Sequence, residues 1–417
     1  MRVIRSLAAI LGCCIMLPLA IAEQAQPTKP DWQTADWPQW RGERRDGVSS
    51  ERGLLSNWPE SGPKEIWRQP LGEGFSAISV VDGVLYTQYV SGEDAMLVAL
   101  SAKSGKRLWQ LRTGKRFSDS YGNGPRATPT VDAGVVFALD SSGGLVAANA
   151  KNGRELWRHD LVAQYGARPP RWGLASSPLV EGDQLIVHAG GDNGRSVLAF
   201  DRHDGRLIWS SRDEKPGYAA PIVVDAAGHR QLILFAGDRL VSLDPSSGAT
   251  FWEWTWKTDW GVNASTPIWI APDRLFLSSG YSKGATMLRL LAREGEAAVE
   301  EVWRNREMRN KFSSSVLYEG MLFGFDDSSL KCVDPKTGET SWRQRGLGHG
   351  SLIAVDGKLL LLSDRGKLVL AAASADGYAE LGATQLFETK TWTVPTLAGG
   401  RLYVRDEKEI VALDLVH

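Results

Sequence analysis

One short pattern recurs along this chain and limits the folds available to it: a polar turn whose glycine stands four residues before a tryptophan. The pattern occurs five times, at residues 102–109, 150–157, 202–209, 245–252 and 335–342. Self-similarity at this scale is typical of architectures that stack copies of one supersecondary unit. The repeat therefore determines the fold class before any other feature is considered.

Each repeat contains signals for four short strands. A step of small residues and proline opens the unit, as in Ser176-Ser-Pro178, and an apolar strand follows. An acidic-glycine turn such as Asp82-Gly83 leads to a second apolar strand, and a third strand ends in a pair such as Ala99-Leu100. The glycine turn then leads to the fourth strand and its tryptophan. Short strands joined by such turns predict one antiparallel four-stranded blade.

The spacing and the ends of the repeat predict a closed ring of eight blades. The tryptophans at 67, 109, 157, 209, 252, 303 and 342 are 39 to 52 residues apart, which is the period of a β-propeller. Residues 65–68 read as a fourth strand with no first three, and residues 394–414 as three strands with no fourth. We predict that the N-terminal strand pairs with the C-terminal blade, which removes exposed sheet edges. The predicted propeller spans residues 65–417.

The repeated tryptophans admit two interpretations. They could stack on a carbohydrate or a nucleobase, or each could wedge between neighbouring blades, where its large apolar area would hold the ring together. Binding sites are local whereas a packing rule repeats, so the regular recurrence favours interblade packing. Blades five and seven depart from the pattern, at residues 292–298 and with Phe387 where a tryptophan is expected. We expect longer, looser outer turns in these two blades.

The N-terminal segment has the features of a secretory signal. Residues 1–22 carry Arg2 and Arg5, then an apolar core, then Ala20-Ile21-Ala22 as a cleavage site. Two alternatives remain: a lipoprotein signal around residues 10–13, and an uncleaved anchor, although the apolar run is shorter than the ~20 residues that a span needs. We predict a periplasmic or secreted chain cleaved near Ala22. Residues 23–64 are predicted to form an N-terminal arm packed across the propeller, or alternatively an arm that binds a partner.

Composition excludes several classes of partner. A formal net charge of −1 provides no electrostatic footprint for nucleic acid or for an anionic membrane surface. No second segment is apolar enough to suggest a transmembrane span in the mature chain, and we expect a monomer. Cys13 and Cys14 would leave with the signal, so the mature chain would keep only Cys332, which we interpret as a buried small hydrophobic residue.

A candidate ligand site follows from the topology of a propeller. The loops that enter each innermost strand gather around the central channel at one face, and in this chain they carry aromatic and cationic residues. The candidate cofactor-binding residues are Arg126, Arg171, Trp172, Trp260, Asn263, Lys311 and Trp392. Such a funnel could stack a planar anionic ligand whose carboxylates meet the cations. Alternatively, the same side chains plug a narrow channel mouth. Trp172 and Trp260 lie off the register of the repeat, so interblade packing does not explain them.

No catalytic or metal-binding constellation is evident in the sequence. His349 is a candidate general base, expected to be exposed and mobile between its two glycines, and Asp119 and Asp259 are candidate acids in the same loops. No nucleophile pairs with them. No histidine cluster has metal-ligand spacing, and no phosphate-binding glycine loop precedes a helix. We therefore predict no catalytic residue and no metal site.

The glycine–tryptophan units resemble the tryptophan-docking motif of the PQQ-like, or quinoprotein-dehydrogenase-like, β-propellers. The opening residues 37–42, Trp-Pro-Gln-Trp-Arg-Gly, also resemble the start of small exported members without haem. The resemblance covers residues 37–417 and implies the propeller fold. It makes pyrroloquinoline quinone (PQQ) the one cofactor to consider. The catalytic members carry a vicinal cysteine pair and calcium-binding Glu, Asn and Asp. No such cysteine pair would survive removal of the signal, and no local motif here matches the calcium-binding residues.

These observations lead to one function and two alternatives. The chain is expected to be an exported PQQ-like propeller that serves as a non-catalytic scaffold. Its unknown small ligand or protein partner would bind at the central channel face. The first alternative is a PQQ-dependent oxidoreductase similar to alcohol or sugar dehydrogenases. The second is a scaffold for outer-membrane β-barrel assembly, which would favour a lipidated N-terminus.

Overall fold

A computed structural model of the protein describes residues 35–416, so the predicted signal at residues 1–22 lies outside the described residues. The described chain forms eight sheets, each with four antiparallel strands and one with an added parallel strand from the arm, which confirms the all-β eight-bladed propeller. One short helix, Leu161–Tyr165, and one 3-10 turn, Asp259–Gly261, interrupt the strands. Within this part of the chain, no helix has the length and apolar character needed to cross a membrane.

The blades are numbered one to eight in chain order, and their strands run from the channel outward. Blades one and two contain Ser79–Val81, Val84–Ser91, Asp94–Ser101 and Arg107–Lys115, then Thr130–Asp132, Val135–Leu139, Gly144–Asn149 and Glu155–Asp160. Blades three and four contain Leu179–Glu181, Gln184–His188, Val197–Asp201 and Leu207–Ser211, then Ile222–Ala226, His229–Phe235, Arg239–Leu243 and Thr250–Thr255. Blades five and six contain Ile268–Ile270, Arg274–Ser279, Gly284–Arg293 and Glu296–Asn305, then Val316–Tyr318, Met321–Asp326, Ser329–Val333 and Thr340–Gln344. Blade seven contains Gly350–Val355, Lys358–Ser363, Lys367–Ala372 and Glu380–Gln385.

Blade eight closes the ring with both ends of the repeat region, as predicted. Its first three strands are Thr396–Ala398, Arg401–Arg405 and Glu409–Asp414, and its outermost strand is Glu65–Pro70. The closing pair is antiparallel, with Trp67 opposite Ala412. Closure of this kind joins distant parts of the sequence and leaves no blade incomplete.

Within one repeat, the glycine packs against the preceding blade and the tryptophan packs against the following blade. The indole Nε1 of Trp157 donates to the carbonyl of Arg202, at 3.1 Å, in the turn of the next blade. In that same turn lies Gly205, where an added Cβ would come within 2.8 Å of the Trp157 ring. The glycine therefore makes room for the preceding blade's indole, and interblade packing explains the repeat. The same hydrogen bond joins Trp67 to Ala102, Trp109 to Ala150, Trp209 to Pro245, Trp303 to Pro335 and Trp342 to Ser374.

Blade five does not have the loose outer turn that the sequence suggested. Its third and fourth strands, Gly284–Arg293 and Glu296–Asn305, instead extend the hairpin to ten residues each. They are joined by Glu294 and Gly295, which both have positive φ and form a tight two-residue turn. The added residues are paired, so the prediction for this blade was wrong. Blade seven does have a longer connection, residues 373–379.

In blade seven, a tryptophan from the arm lies at the docking position, which is the place that the repeated tryptophan takes in the other blades. The strand register places Gly382 where the other blades carry their tryptophan. Gly382 lies opposite Leu370 and next to a β-bulge, as Trp157 does opposite Ala147 in blade two. The Cβ of Trp58 lies 2.8 Å from the point where a Gly382 side chain would begin, and Trp58 is buried. The prediction that Phe387 takes this position was wrong, because Phe387 follows the end of the fourth strand.

The first part of the described arm fills the central channel. Trp37 forms a two-way backbone bridge with Val80 of blade one. Two buried arginines then donate to backbone carbonyls just before the innermost strands. Arg45 binds the carbonyls of Pro178 and Pro221, which precede blades three and four. Arg41 binds the carbonyl of Ser315, which precedes blade six. Val48–Ser49 finally runs parallel to the innermost strand of blade seven. Residues 37–49, here called the plug loop, thus bind the blades to one another from inside.

Beyond the plug loop, the contacts of the arm include one from a buried carboxyl group. Glu51 is 3% exposed and accepts a hydrogen bond from the backbone N–H of Gly400, at 2.6 Å, through Oε2. Its Oε1 is buried and has no partner. Burial raises the pKa of Glu51 from 4.5 to about 7 because the charged form is desolvated.

We expect Gly205→Ala to destabilise the protein more than Gly134→Ala. Both glycines have positive φ, +76° and +78°, so an alanine at either site costs about 1–2 kcal/mol in backbone strain. Only Gly205 lies against an indole, which adds about 1–3 kcal/mol of overpacking. Urea unfolding of the two variants measures the difference. Equal losses would contradict the role of this glycine beneath the indole.

We expect Trp58→Ala to cost about 3–5 kcal/mol in the free energy of unfolding, as much as Trp157→Ala, since both rings are buried wedges. Trp260→Ala is the matched control, because Trp260 is 76% exposed and its loss should change stability by less than about 0.5 kcal/mol. Thermal or urea denaturation compares the three variants. A Trp58 variant as stable as the control would show that the arm does not complete blade seven.

We expect Glu51→Gln to be more stable than the native chain at pH 8. The folded-state pKa of Glu51 is raised, so its favourable contribution is present below pH 4.5 and is lost as the pH rises to about 7. The size of the loss is about 3 kcal/mol. Unfolding measured between pH 4.5 and 8 should show native stability falling relative to the glutamine variant. Parallel pH profiles would contradict the assignment.

Candidate functional site

The candidate site lies on one face of the ring. Because strands alternate in direction, the loops that enter the innermost strands share a face with the connections between second and third strands. The docking turns, such as residues 102–106, lie on the opposite face. We call the first the site face. The plug loop closes the channel beneath it.

A cavity of about 470 Å³, here called the mouth cavity, opens at the centre of the site face. Its volume is in the range of small-molecule and side-chain pockets. Six of the seven predicted residues line it: Arg126, Arg171, Trp172, Trp260, Lys311 and Trp392. The other lining residues are Trp40, Phe75, Tyr121, Ala175, Tyr218, Ala220, Val262, Ala264, Tyr281 and Phe312.

One wall consists of an arginine between two indoles. The guanidinium carbon of Arg171 lies 5.5 Å from the ring centre of Trp172 and 5.7 Å from that of Trp260. These distances are within the range of cation–π contacts. Arg171 makes no side-chain hydrogen bond or ion pair within residues 35–416, so its charge is available to a ligand. The Nε1 of Trp172 is buried and likewise lacks a protein acceptor.

Trp260 has an unusual backbone for its size. Its φ is +66°, in the left-handed region, and its side chain is 76% exposed. A bulky residue in this conformation costs about 1–2 kcal/mol, and its exposed ring recovers little of that by burial. The following Gly261 also has positive φ, which allows the tight turn that projects the indole. Packing within the described chain therefore does not explain the conformation of Trp260.

The opposite wall is an aromatic stack. The ring of Trp392 lies 5.3 Å from Phe75 and 5.1 Å from Phe312, with both pairs tilted by 33°. The ammonium of Lys390 lies 4.5 Å above Trp392. Lys311 borders this wall and has no side-chain partner in the described chain. The two walls therefore present aromatic faces and free cations toward the same space.

Arg126 contributes less free charge than Arg171. Its guanidinium donates to the carbonyls of Gly122 and Gly124, at 3.0 and 2.9 Å, and stacks on Phe75 and Phe117. Burial lowers the pKa of Arg126, yet nothing titrates an arginine near neutral pH. Its main role is to shape the loop that enters blade two.

Asn263 does not reach the mouth cavity. The side chain is fully buried, and its Nδ2 donates to the carbonyls of Ala236, Gly237 and Trp256. Its Oδ1 accepts from Ser279 Oγ at 2.8 Å. The carboxamide is used entirely within the protein, where it holds the loop that carries Trp260.

The candidate proton-transfer groups also have structural partners. His349 lies 2.9 Å from Asp327 and 3.6 Å from Asp364, which holds the ring in place between two loops. Asp119 caps its own loop by accepting from the backbone N–H of Tyr121, at 2.8 Å. Cys332 is fully buried and burial raises its pKa to about 11, so its assignment as a small core residue is confirmed.

The lining of the mouth cavity contains aromatic, aliphatic and cationic residues, and no carboxylate. Burial raises the pKa of Tyr218 to about 12, so its phenol stays neutral. Within residues 35–416, no group of three or more His, Cys, Asp or Glu side chains is placed to hold a metal ion. The arrangement can stack an aromatic ring and neutralise an anion, and it offers no evident general base.

Ten lining residues were not among the seven predicted, and four of them show why. Phe312 lies in the loop that supplied Lys311, and Phe75 lies in the equivalent loop that enters blade one, so the loop rule itself could have found both. Tyr281 comes from the connection between the second and third strands of blade five, on the same face. Trp40 forms the floor from the plug loop and donates Nε1 to Thr266 Oγ1 at 2.9 Å. Its position depends on how the arm enters the channel.

Comparison with known proteins gives relatives of two kinds. The outer membrane protein assembly factor BamB of Yersinia pestis is 26% identical over 420 residues, covering 90% of this chain and 96% of that protein. The crystal structure of BamB from Moraxella catarrhalis superposes with a TM-score of 0.62 at 14% identity, covering 84% and 99% of the two chains. The quinohemoprotein alcohol dehydrogenase ADHIIG from Pseudomonas putida HK5 superposes with a TM-score of 0.65 at 13% identity, covering 92% and 81%. Both structural likenesses concern the fold alone.

The family profile named PQQ_2, described as outer membrane protein assembly factor BamB, matches residues 42–168, 112–344 and 326–416. The matched segments overlap and together run through all eight blades. The resemblance to PQQ-like propellers is thereby confirmed, and the chain belongs to the PQQ_2 family of β-propellers.

Proposed function

We propose that this chain is a non-catalytic scaffold in the assembly of outer membrane proteins, working on the periplasmic side. The observation that carries the proposal is the match of the BamB family profile through all eight blades. The BamB protein of Yersinia pestis, which aligns over 90% of the chain, agrees with it. The comparisons thus favour the assembly alternative over a scaffold of unspecified role.

The chemistry of the site face agrees with binding. A ring tied from inside by the plug loop is a rigid platform, and rigid elements position binding residues with little loss of conformational entropy. The exposed Trp260 and the unpaired Arg171 are residue types that dominate protein interfaces. These features support a partner-binding role for the site face.

The oxidoreductase alternative was tested against the residues present. Cations and indoles of the mouth cavity suit an aromatic anion such as PQQ. The calcium ion and the general base of the dehydrogenases both need carboxylates, and the lining has none. In the described chain the single cysteine, Cys332, is buried in blade six, so no vicinal pair borders the cavity. These residues do not fit the metal-bound quinone, and no oxidation step is derived from them.

Deleting the chain from its host should lower the amount of folded outer membrane proteins severalfold, as measured by heat-modifiable mobility in outer-membrane fractions. Expression of the native chain should restore the amount. Trp58→Ala, which weakens the ring, should restore it less well at elevated temperature, whereas Leu108→Ala, at an exposed position of an outer strand, should restore it fully. Unchanged outer membrane proteins after deletion would reject the proposal.

Catalysis is tested separately on the purified protein. PQQ and Ca²⁺ are added with a redox dye and alcohol or sugar substrates. We expect no dye reduction above that of the cofactor alone. Saturable, protein-dependent turnover would overturn the non-catalytic assignment.

A further inference from the structure

We propose that the mouth cavity and the groove beside it bind an extended acidic segment of a partner polypeptide, with an aromatic side chain of that segment inserted in the cavity. This inference rests on the proposed function, because it names the chemistry of the partner that the scaffold would hold. It is carried by the geometry and the charges of the site face.

The mouth cavity has the features of a socket for one aromatic side chain. It is open toward the site face, and Trp40 of the plug loop forms its floor, so an inserted ring cannot pass through the ring of blades. Its walls offer the faces of Trp172 and Trp260 on one side and of Trp392 on the other. Buried aromatic anchors of this kind supply much of the energy of an interface.

A groove of about 970 Å³ continues outward from the cavity over the loops that enter blades three, four and five. Arg171 and Trp260 line both spaces, which makes the cavity and the groove one continuous surface. A compact aromatic molecule would fill only the cavity. An extended polypeptide can place a side chain in the cavity and its backbone in the groove.

The charges of this surface favour an acidic segment. Four cations of this surface have no side-chain hydrogen bond or ion pair in the described chain: Arg171 where the two spaces meet, Lys215 and Lys257 in the groove, and Lys311 in the cavity. Arg171, Lys215 and Lys257 are exposed, and Lys311 is partly buried.

The acidic residues of the groove are already engaged. Asp192 pairs with Arg168, Glu214 with Arg212, and Asp238 with Arg239, while Asp213 accepts from the backbone N–H of Gly194. Of these four, only Asp213 lacks a cationic partner, and the unpaired cations outnumber it, so the charge that remains for a partner is positive. Carboxylates that reach Arg171 can form bidentate hydrogen bonds.

The test uses the full-length mature protein and three fluorescein-labelled nine-residue peptides in fluorescence polarisation at low ionic strength. The first peptide has a central tryptophan flanked by two aspartates on each side. The second replaces the aspartates with asparagines, and the third replaces the tryptophan with alanine. We expect the first peptide to bind about tenfold more tightly than either control, and to weaken as salt is raised.

Variants of the protein locate the contact. Arg171→Gln and Trp260→Ala should each weaken binding of the first peptide about tenfold, and Lys257→Gln should weaken it less. Arg171→Lys keeps the charge and should retain part of the affinity. Arg154→Gln is the matched control, since Arg154 is an exposed arginine on the opposite face and its loss should change nothing. Unfolding midpoints establish that each variant is folded.

Several results would overturn the inference. These are no binding of the acidic aromatic peptide, equal binding of the asparagine peptide, or unchanged binding by the Arg171 and Trp260 variants. Equal affinity for free N-acetyltryptophan would also reject it, because the groove would then contribute nothing. If deletion in the host impairs assembly but the peptide does not bind, only this inference fails. If the peptide binds but deletion has no effect, the proposed function fails.

Discussion

The structure depends on one repeated interaction between neighbouring blades. An indole N–H from one blade donates to a carbonyl in the docking turn of the next, and a glycine of that turn lies beneath the ring. A blade of four short strands cannot bury both of its faces alone, so its stability comes from the two interfaces it shares. The hydrogen bond satisfies the one polar atom of a large apolar side chain, and the missing Cβ lets the sheets approach. Gly205 and Trp157 illustrate the rule.

A residue of the arm fills the space where the repeat lacks its tryptophan. Blade seven has Gly382 at the docking position, and Trp58 supplies the indole from outside the repeat. The plug loop then ties several blades together through the buried cations Arg41 and Arg45, which donate hydrogen bonds to backbone carbonyls. Burial lowers the pKa of these two residues to about 10 and about 9, so both remain charged at neutral pH. The arm therefore stabilises the ring of blades and also forms the floor of the mouth cavity.

Rigidity of this kind suits recognition at the site face. The side chains around the mouth cavity come from many separate loops, and each loop starts from a blade fixed on both sides. Among the described residues of the site face, Arg171 keeps an unpaired charge and Trp260 is exposed in a left-handed conformation. Asn263 differs, because its side chain is buried and bound to three carbonyls. Asn263 therefore holds the site in place, whereas Arg171 and Trp260 are the residues that the proposed function assigns to a partner.

The blade count, the closure of the ring and six of the sixteen residues that line the cavity could be predicted from the sequence, because local turn chemistry and strand periodicity repeat with the chain. Loops that enter innermost strands must converge, so Arg171 and Trp172 could be placed from topology alone. Tertiary structure decided what depends on contacts between distant segments. Trp40 in the floor, Trp58 in blade seven and the inward turn of Asn263 leave no local signal, since each is set by the space that other blades provide. The extended hairpin of blade five belongs to the same class: whether added residues loop out or pair depends on strand register, which composition does not encode.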